Sequence, residues 1–450
     1  MSLENYPKVV TELPGPKSAE IFDRQDKVFY AQMHSGSTSP FIVDFKDADG
    51  LIHDMDGNTF ANHMSAWGAA PYGPFPPDVR QSMIQAWDRY GMEISCFLQS
   101  PPVVELAERL VALAPGDITR VAPTVTGTEA VEGSIKLARE CTGRPMILSF
   151  LGQYHGESTY LAASTSTELP GESTGSAPFT PGLVFAPYPS TYRAPFRSGP
   201  GPHDDTVVID YIEQWLLRHQ VEPTQIAAVL IEPIAGELGV YAPSQAFWDG
   251  LNRLREQHGW LLICDEIQSG MGRSGPVWAG DLWGLEPDML LTGKGLAAGG
   301  QAMAAILGTD RVMADSHVYT TGTYVWEPAA VAAALAGLDL LDDAMRNALE
   351  LERIGREILT PLVEKYEQVG DVRQYGAWAA VEFVESKASQ APNREAQHAF
   401  SQAALMRGVF AISSPEKWVY RMQPALNMQP ELFRWSCEQM VEAAADVLGA

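Results

Sequence analysis

The sequence predicts an α/β fold, with a mostly parallel central sheet in a large domain and a smaller α+β domain at the C-terminal end. The middle of the chain alternates short apolar runs with amphipathic helical segments, which is the pattern of a sheet covered by helices on both faces. The runs are apolar at nearly every position rather than at every second one, as expected for strands with two buried faces. With 450 residues, the chain is long enough for more than one domain.

The first elements are predicted from turn and capping signals. A strand over residues 41–45 precedes a turn at Gly57, where glycine suits the tight position. A proline-rich break over residues 71–77 leads to Asp78, a suitable N-cap for a helix that continues to about Tyr90. The segment before this helix is therefore expected to be mostly irregular, with short strands.

The later elements follow from hydrophobic patterns along the chain. Strands are predicted over residues 146–150, 226–232, 260–265, 289–292, 303–308 and 376–383, and helices over residues 130–141, 247–258 and 329–343. We therefore expect residues 76–328 to form the large domain and residues 329–450 the small domain, which residues 1–75 join.

The composition excludes several classes of partner. There are 31 Lys and Arg residues against 56 Asp and Glu residues, so the formal net charge is −25, and an acidic protein repels nucleic acid and anionic membranes. The four cysteines show neither a CxxC spacing nor the density of a disulfide framework, and no metal site is predicted. No signal peptide is recognised at the N-terminus, and the most apolar helical stretch, residues 329–341, is too short to span a bilayer. We expect a cytoplasmic protein with no nucleic-acid or membrane partner.

Lys294 and Asp265 stand at the ends of two apolar runs that are expected to be neighbouring strands. Lys294 is followed at once by glycine, and Asp265 ends the run that begins at Leu261. An amine and a carboxylate in these places suit pyridoxal phosphate, because the amine can form a Schiff base with the aldehyde and the acid can pair with the pyridinium nitrogen. Ordinary packing explains the two residues poorly, since an unpaired buried charge is costly.

Three further groups stand where ligands bind in open α/β sheets, beyond the carboxyl ends of strands. The turn Thr126–Thr128 precedes a helix and suits a phosphate, although such a turn taken alone is more often an ordinary capped connection. The segment Tyr154–Gly156 follows a predicted strand and could stack an aromatic ring on a pyridine face, but an isolated Tyr-His pair is more often core or surface. Glu232 ends another strand and could equally cap a neighbouring helix.

Several motifs, in one order along the chain, resemble those of the class III aminotransferases, which are pyridoxal phosphate enzymes of fold type I. The motifs are Asp54-Met-Asp-Gly-Asn58, Thr126-Gly-Thr-Glu-Ala-Val-Glu132, Tyr154-His-Gly156, Ile231-Glu-Pro-Ile-Ala-Gly-Glu237, Asp265-Glu-Ile-Gln-Ser-Gly-Met-Gly-Arg273, Gly293-Lys-Gly-Leu296 and Arg373-Gln-Tyr-Gly376. They extend over roughly residues 40–430. The resemblance implies a fold type I enzyme with pyridoxal 5'-phosphate as its cofactor, similar to the 4-aminobutyrate and ω-aminotransferase branch.

The resemblance also implies the roles of the cofactor-site residues. Lys294 and Asp265 are the predicted catalytic residues: Lys294 would form the Schiff base and move a proton, which needs a depressed pKa, and Asp265 would keep the pyridine nitrogen protonated. The other predicted cofactor-binding residues are Thr126, Gly127 and Thr128 at the phosphate, Tyr154 and His155 at the ring, Gln268 beside the ring hydroxyl, Glu232 as a support, and Thr323, which would reach the phosphate of a partner subunit. This last role implies a homodimer with a shared active site, and leaves a tetramer open.

Three residues are predicted to bind substrate, again by the resemblance. Arg421 matches the arginine that holds the α-carboxylate of an amino or keto acid, for which a planar guanidinium is suited. Glu237 matches a gating glutamate, which pairs with this arginine when the donor lacks an α-carboxylate. Trp67 lies in a stretch that is similar to one in racemases of the same class, and could equally be a core residue.

Two positions depart from the family pattern. Glu157 stands where the 4-aminobutyrate branch carries an arginine, which argues against 4-aminobutyrate itself as the donor. Trp326 replaces a small residue and is expected near a dimer-side entrance. The predicted function is ping-pong transfer of an amino group from an ω-amino acid or amine to an α-keto acid, such as 2-oxoglutarate or pyruvate. The alternatives are an amino-acid or amino-lactam racemase or epimerase, a decarboxylase, and a non-catalytic relative, which the intact Lys294 and Asp265 argue against.

Overall fold

The computed structural model describes residues 6–30, 39–47, 50–73, 76–92, 100–166, 180–196, 202–320, 322–411 and 417–449. The strands are β1 Val43–Lys46, β2 Leu51–Asp54, β3 Thr59–His63, β4 Ile118–Thr124, β5 Met146–Leu151, β6 Leu183–Pro187, β7 Ile226–Ile231, β8 Leu261–Asp265, β9 Met289–Thr292, β10 Ala304–Thr309, β11 Val369–Tyr375, β12 Trp378–Phe383, β13 Val409–Ala411 and β14 Val419–Met422. The helices are α1 Pro16–Gln25, α2 Pro77–Tyr90, α3 Pro101–Leu113, α4 Gly127–Thr142, α5 Tyr160–Thr165, α6 Val207–Tyr211, α7 Leu217–His219, α8 Gly236–Gly239, α9 Gln245–His258, α10 Asp310–Met313, α11 Pro328–Asp339, α12 Leu341–Leu359, α13 Pro361–Lys365, α14 Arg394–Met406 and α15 Pro430–Leu448.

The chain divides into two compact units. The larger unit is Phe75–Asp342, and the smaller unit combines Met1–Pro74 with Asp343–Ala450. The second boundary therefore falls at residues 342/343, whereas the sequence predicted it at 328/329. The difference concerns helix α11, which packs against α2 and α3. Because α11 is apolar on most of its surface, it belongs inside the larger unit that buries it.

The larger unit is built on a seven-stranded sheet with the strand order β4-β10-β9-β8-β7-β5-β6. Neighbouring strands from β9 to β6 are parallel, and β10 is antiparallel to both β4 and β9. The predicted mostly parallel sheet is confirmed. Since parallel strands point the same way, the carboxyl ends of β9, β8, β7 and β5 follow one another along a single edge of the sheet.

Helices cover both faces of this sheet, as its apolar strands require. Val229 and Ile231 of β7 lie in a cluster with Trp248 of helix α9, whereas Leu230 lies in a second cluster with Ile135 of helix α4. Alternate residues of a strand point to opposite faces, so one strand contributes to both cores. Burying both faces is what makes the strand apolar at every position.

Helix α4 begins earlier than its hydrophobic pattern alone predicted, at residue 127 instead of 130. A capping box is the reason: the Thr126 side chain accepts a hydrogen bond from the Glu129 backbone, and the Glu129 carboxylate accepts one from the Thr126 backbone. The helix ends before Gly143, which has a φ of 67°, a conformation that favours glycine. The turn Thr126–Thr128 is thus fixed by its own sequence.

The smaller unit contains two antiparallel-rich sheets. One has the order β1-β2-β3-β13, and the other has the order β11-β12-β14. Strands β11 and β12 form a hairpin whose turn includes Gly376, with a φ of 55°. The strand predicted over residues 376–383 therefore begins two residues later, at Trp378, because Gly376 is used by the turn. In the part of the chain that the structure describes, no helix is long and apolar enough to cross a membrane.

Candidate active site

A cavity of about 170 Å³ lies at the carboxyl edge of the seven-stranded sheet. Its lining residues come from segments that follow neighbouring strands: Tyr154, His155 and Gly156 after β5, Glu232 after β7, Asp265, Ile267 and Gln268 at and after β8, Lys294 after β9, and Gly127 and Thr128 at the start of α4. The expectation that Lys294 and Asp265 end neighbouring strands is met, because β8 and β9 pair in parallel. Strand order thus brings together residues that are far apart in sequence.

Asp265 and His155 form a buried pair in this cavity. The Nδ1 atom of His155 lies 2.7 Å from Oδ2 of Asp265, and their side chains are 0% and 4% exposed. The other carboxylate oxygen accepts a hydrogen bond of 3.1 Å from the Ile267 N–H. Two partners hold the Asp265 carboxylate in one orientation, as a ligand-binding group needs.

Glu232 lies fully buried beside this pair and links two loops. One of its oxygens accepts a hydrogen bond of 2.9 Å from the Tyr154 N–H, and the other accepts one of 3.2 Å from the Gly236 N–H. Burial raises the pKa of Glu232 well above its usual range, and the negative charge of Asp265 raises it further, whereas the two backbone donors and Lys294 act against this shift. Glu232 therefore fixes the backbone beneath Tyr154 and lines the cavity at the same time.

Lys294 sits in a strained backbone conformation at the end of β9. Its φ of 33° lies in the left-handed region, which costs a non-glycine residue of the order of 1–3 kcal/mol. Two glycines flank it, and there is little room around either: a Cβ at Gly293 would stand 3.3 Å from Ile267, and a Cβ at Gly295 would stand 3.0 Å from Met271. The glycine pattern that singled out Lys294 in the sequence is thus explained by close packing against the segment after β8.

The phosphate-binding prediction concerns the N-terminal end of helix α4. Gly127 and Thr128 line the cavity, and as the first two helical residues they have N–H groups with no partner in a preceding turn. A Cβ at Gly127 would lie 2.8 Å from Ile267, and a Cβ at Gly156 would lie 2.3 Å from the Thr128 hydroxyl. These contacts make a tight cradle that needs glycine at both positions.

Gln268 joins the cavity to Glu237. Gln268 lines the cavity and is buried, and its amide nitrogen lies 3.5 Å from Oε1 of Glu237, which is half-buried. At this distance the hydrogen bond is weak. A predicted cofactor residue and a predicted substrate residue are therefore neighbours in the larger unit.

Two lining residues were not singled out from the sequence as site residues. Ile267 contacts the positions that a Cβ would occupy at Gly127 and Gly293, and Gly156 has a φ of 102°. Ile267 carried a weak signal, since it stands between two predicted ligands and is apolar. The structure shows that it spaces the α4 turn from the Lys294 segment.

Several predicted residues lie outside this cavity or have another local role. Thr126 caps helix α4 with its side chain. Thr323 is exposed in a turn of the larger unit. In the sequence it belongs to the segment Thr321-Gly-Thr-Tyr324, which resembles the family segment that reaches the partner's phosphate, and Thr321 lies outside the described residues. In the smaller unit, Trp67 is 37% exposed with a φ of 53°, and Arg421 is buried in β14. The predicted pairing of Arg421 with Glu237 and the predicted role of Thr323 remain predictions.

The two departures from the family pattern have different surroundings. Glu157 is exposed. Trp326 is 1% exposed and donates a hydrogen bond of 2.9 Å from its indole N–H to the Ala304 carbonyl. The ring is therefore packed inside the larger unit, and its polar atom is satisfied by the first residue of strand β10. The expected place of Trp326 near a dimer-side entrance stays a prediction.

The donor set of the cavity fits pyridoxal phosphate. It combines one amine, one buried carboxylate held by a histidine, an aromatic side chain and a helix N-terminus with a glycine cradle. These groups match the aldehyde, the ring nitrogen, the ring face and the phosphate of that molecule.

Comparisons with known proteins agree with this chemistry. The Aminotransferase class-III family model matches residues 33–444. A 4-aminobutyrate aminotransferase of Mycobacterium leprae is 32% identical over 96% of this chain and 96% of its own length. An alanine/serine racemase of Pyrococcus horikoshii is 30% identical over 99% of this chain and 94% of its own length. The crystal structure of an (S)-enantioselective omega-transaminase from Thermomicrobium roseum has a TM-score of 0.84 and 26% identity, covering 96% of this chain and 99% of that one.

Proposed function

Because the chain belongs to the class-III aminotransferase family, we propose that the cavity at the sheet edge is its cofactor site and that Lys294 and Asp265 are its catalytic residues. The protein is a pyridoxal 5'-phosphate-dependent aminotransferase of fold type I. The observation that carries the site assignment is the meeting of four consecutive strand ends, which brings Lys294, Asp265, Glu232 and Tyr154 to one cavity. Residues of these types at these strand ends have no shared structural purpose that would explain them.

The residues divide the work of transamination among them. Bound pyridoxal phosphate supplies an electron sink and carries the amino group between the two half-reactions. Lys294 would hold the aldehyde carbon of the cofactor and, when substrate displaces it, would move a proton at the substrate carbon that bears the nitrogen. Asp265 is held by His155 and the Ile267 N–H, and its carboxylate would pair with the ring nitrogen.

Other residues position the cofactor. Gly127 and Thr128 would present backbone N–H groups to the phosphate, and Tyr154 would cover a face of the ring. Glu232 holds the Tyr154 backbone through a hydrogen bond of 2.9 Å. Gln268 would serve the ring hydroxyl, and its contact with Glu237 would link the ring to the substrate side.

We infer that the donor is an ω-amino acid or amine and that the acceptor is an α-keto acid such as 2-oxoglutarate or pyruvate. The relatives that support this are named for 4-aminobutyrate and for an omega-transaminase activity. Glu237 and Arg421 are both present, as a donor without an α-carboxylate requires. Glu157 is exposed and acidic where the 4-aminobutyrate branch has a cation, so we expect a neutral or cationic donor to be preferred over 4-aminobutyrate.

We also infer a homodimer in which Thr323 reaches the phosphate of the partner subunit. Thr323 and its neighbour Tyr324 are exposed in the single chain, so their side chains are accessible to a second copy. Sedimentation of the holoenzyme should give a dimer, and Thr323→Ala should weaken cofactor binding severalfold. A fully active monomer would contradict this inference.

The test of the cofactor site is spectroscopic. The purified protein incubated with pyridoxal phosphate should absorb in the visible range, Lys294→Ala should lose that band, and an amine donor added without acceptor should bleach it. The matched control is Lys136→Ala, which removes an exposed lysine of helix α4. If the wild-type protein stayed colourless after incubation with pyridoxal phosphate, the assignment of the cavity as the cofactor site would be wrong.

The substrate roles need a separate experiment. Arg421→Ala should raise the KM for 2-oxoglutarate or pyruvate by about 100-fold, since a charge-assisted bidentate contact is lost, with little change in the KM for an amine donor. A panel of donors that includes 4-aminobutyrate, β-alanine, ornithine, lysine, aryl amines and α-amino acids would identify the substrate class. Equal losses for donor and acceptor would refute the acceptor role of Arg421.

A racemase is the second candidate, because one relative of 30% identity over nearly the whole chain is an alanine/serine racemase. The stretch Ser65–Trp67, which is similar to racemases of the class, has three consecutive left-handed residues with φ values of 44°, 53° and 53°. Such strain is retained where the surroundings or the function require it. Loss of optical activity of L-alanine or L-serine, with no bleaching and no keto product, would favour the racemase.

A further inference from the structure

Glu266 is a buried carboxylate, 1% exposed, that directly follows the catalytic Asp265 and that the proposed reaction does not use. One of its oxygens accepts a hydrogen bond of 2.7 Å from the Gly280 N–H. The other accepts hydrogen bonds from the Ala279 N–H, at 3.0 Å, and from the Ser269 hydroxyl. Three donors from two places in the chain therefore converge on one side chain.

The segment between these two places, residues 266–280, packs against the cofactor cavity. Near its start, Ile267 and Gln268 line the cavity. Farther along, Met271 contacts the position that a Cβ would occupy at Gly295, beside Lys294. The segment folds back on itself through a backbone hydrogen bond of 3.3 Å from the Gly272 N–H to the Val277 carbonyl, and it is tight at Gly270, where a Cβ would stand 2.8 Å from both the Glu266 carbonyl and the Trp278 ring. Glu266 joins its two ends through a side chain.

Burial of the Glu266 carboxylate disfavours its ionised form, and hydrogen bonds oppose this effect. Burial raises the pKa of Glu266 to about 7, with a smaller contribution from Asp281, while the hydrogen bonds from Ser269, Gly280 and Ala279 act against this shift. A carboxylate that accepts three hydrogen bonds is best satisfied when ionised. A neutral side chain of the same shape cannot accept all three.

We propose that Glu266 is a positioning residue for the cofactor pocket: its carboxylate clasps the two ends of segment 266–280 and thereby sets the places of Ile267, Gln268 and Met271 against Gly127 and the Lys294 turn. This inference rests on the proposed function, since it concerns the same pocket. Glu266 itself does not line the cavity, so it acts through the segment that it closes. A segment that opens at Glu266 populates the binding-competent arrangement less, and the apparent affinity for the cofactor falls by that fraction.

The experiment compares Glu266→Gln with two other variants in equilibrium binding of pyridoxal phosphate to the apoprotein, well below the melting temperature of each. In Glu266→Gln an amide N–H₂ group replaces one acceptor oxygen and faces donors, so the Kd for pyridoxal phosphate should rise at least about tenfold and the absorbance maximum of the bound cofactor should shift. Ser269→Ala removes one of the three donors and leaves the carboxylate, so the Kd should rise by only about threefold. The matched control is Glu286→Gln, the same change at an exposed position nearby, which should bind like wild type.

The outcomes separate a positioning role from a purely structural one. A Glu266→Gln protein with a lower melting temperature, but with the wild-type Kd and absorbance maximum, would overturn the proposal. If Glu266→Gln does not fold, Ser269→Ala decides: an unchanged Kd overturns the proposal and a raised Kd supports it. Failure of the wild type to bind pyridoxal phosphate would refute the proposed function instead, so the two failures are distinguishable.

Discussion

Each of the two units buries a carboxylate in close contact with a basic side chain, and the two contacts have nearly the same length but different surroundings. In the larger unit, His155 Nδ1 lies 2.7 Å from Asp265 at the edge of a cavity. In the smaller unit, Arg373 lies 2.6 Å from Glu382 and 2.8 Å from Asp371. Asp371 and Glu382 stand opposite each other on strands β11 and β12, where like charges repel, and Arg373 contacts both carboxylates and reduces this repulsion.

The comparison teaches that a buried carboxylate is informative only together with what it faces. The Glu382 carboxylate is paired within its own sheet, because it contacts Arg373 on the neighbouring strand. Asp265 is held by a histidine and a backbone N–H, yet it still lines a cavity next to Lys294. The first arrangement joins two strands, and the second leaves a carboxylate at the wall of a cavity, where we propose that it meets the cofactor. We therefore expect the two carboxylates to respond differently to the same substitution.

The largest expected effect is at Lys294, which has no counterpart in the smaller unit. Lys294→Ala should lower kcat by more than about 10⁴-fold, because both the covalent attachment and the proton transfer are lost. Steady-state assays with excess pyridoxal phosphate would measure it. Activity within about tenfold of wild type would mean that the cavity is not the catalytic site.

Asp265→Asn tests the ligand-facing carboxylate. The substitution keeps the shape and removes the charge beside the ring nitrogen, so kcat should fall by about 10²–10³-fold, with a changed absorbance of the bound cofactor. The free energy of unfolding of the apoprotein should change far less than activity does. If the free energy of unfolding fell while the turnover per folded molecule stayed normal, Asp265 would have a structural role like that of Glu382. The expected difference between the two carboxylates would then be wrong.

Glu382→Gln tests the enclosed carboxylate with the same chemical change. The substitution removes the shorter of the two carboxylate contacts of Arg373 and leaves its contact with Asp371, and because a hydrogen bond between charged groups is lost, the free energy of unfolding should fall by about 3 kcal/mol. Denaturant unfolding of the apoprotein would measure this loss. Turnover of the folded holoenzyme should stay within about twofold of wild type, and a selective loss of kcat without destabilisation would contradict a structural role.

The smallest expected effect concerns His63, the smaller unit's counterpart of His155. Among the described residues neither ring nitrogen of His63 has a hydrogen-bond partner, the ring lies 5.6 Å from that of Phe433, and burial lowers the pKa of His63 from 6.5 to about 3. The unfolded chain therefore takes up a proton first as the pH falls. The stabilisation from a neutral His63 is full above pH 6.5 and is lost as the pH falls toward 3.

His63→Phe should remove this dependence. Relative to wild type, the variant should gain about 2 kcal/mol in the free energy of unfolding between pH 7.5 and pH 5, measured by denaturant unfolding at both values. Transaminase activity at pH 7.5 should be unchanged. An equal difference between variant and wild type at the two pH values would mean that His63 has a proton-accepting partner in solution.

The cofactor residues were predictable because each carries a local signal. Lys294 and Asp265 end apolar runs, the Thr126 turn caps a helix, and Glu232 ends a strand before a proline. These signals are local because the end of a strand is set by the chain itself, through the loss of apolar character and the arrival of a turn. The fold class followed from the same runs, since strands buried on both faces must be apolar throughout.

Other features had no local signal. The buried environment of Trp326 depends on the Ala304 carbonyl, which belongs to another strand. Helix α11 was assigned to the wrong side of the boundary, because its apolar surface reveals burial but not the partners, α2 and α3. Ile267 and the clasp at Glu266 depend on chain segments that meet only after folding.

The sequence by itself determined the α/β class, the family and the cofactor, and it predicted the amine and the carboxylate that would serve the cofactor, because motifs and strand ends consist of consecutive residues. The tertiary structure alone decided which strands are neighbours. It also decided that Glu232 lies beside the pair of Asp265 and His155, and that Glu266 joins the two ends of the segment after β8. Those outcomes depend on packing and on hydrogen bonds between residues that are distant in the chain. The stabilising free energy of these contacts and hydrogen bonds is gained only when folding brings both partners together and buries them.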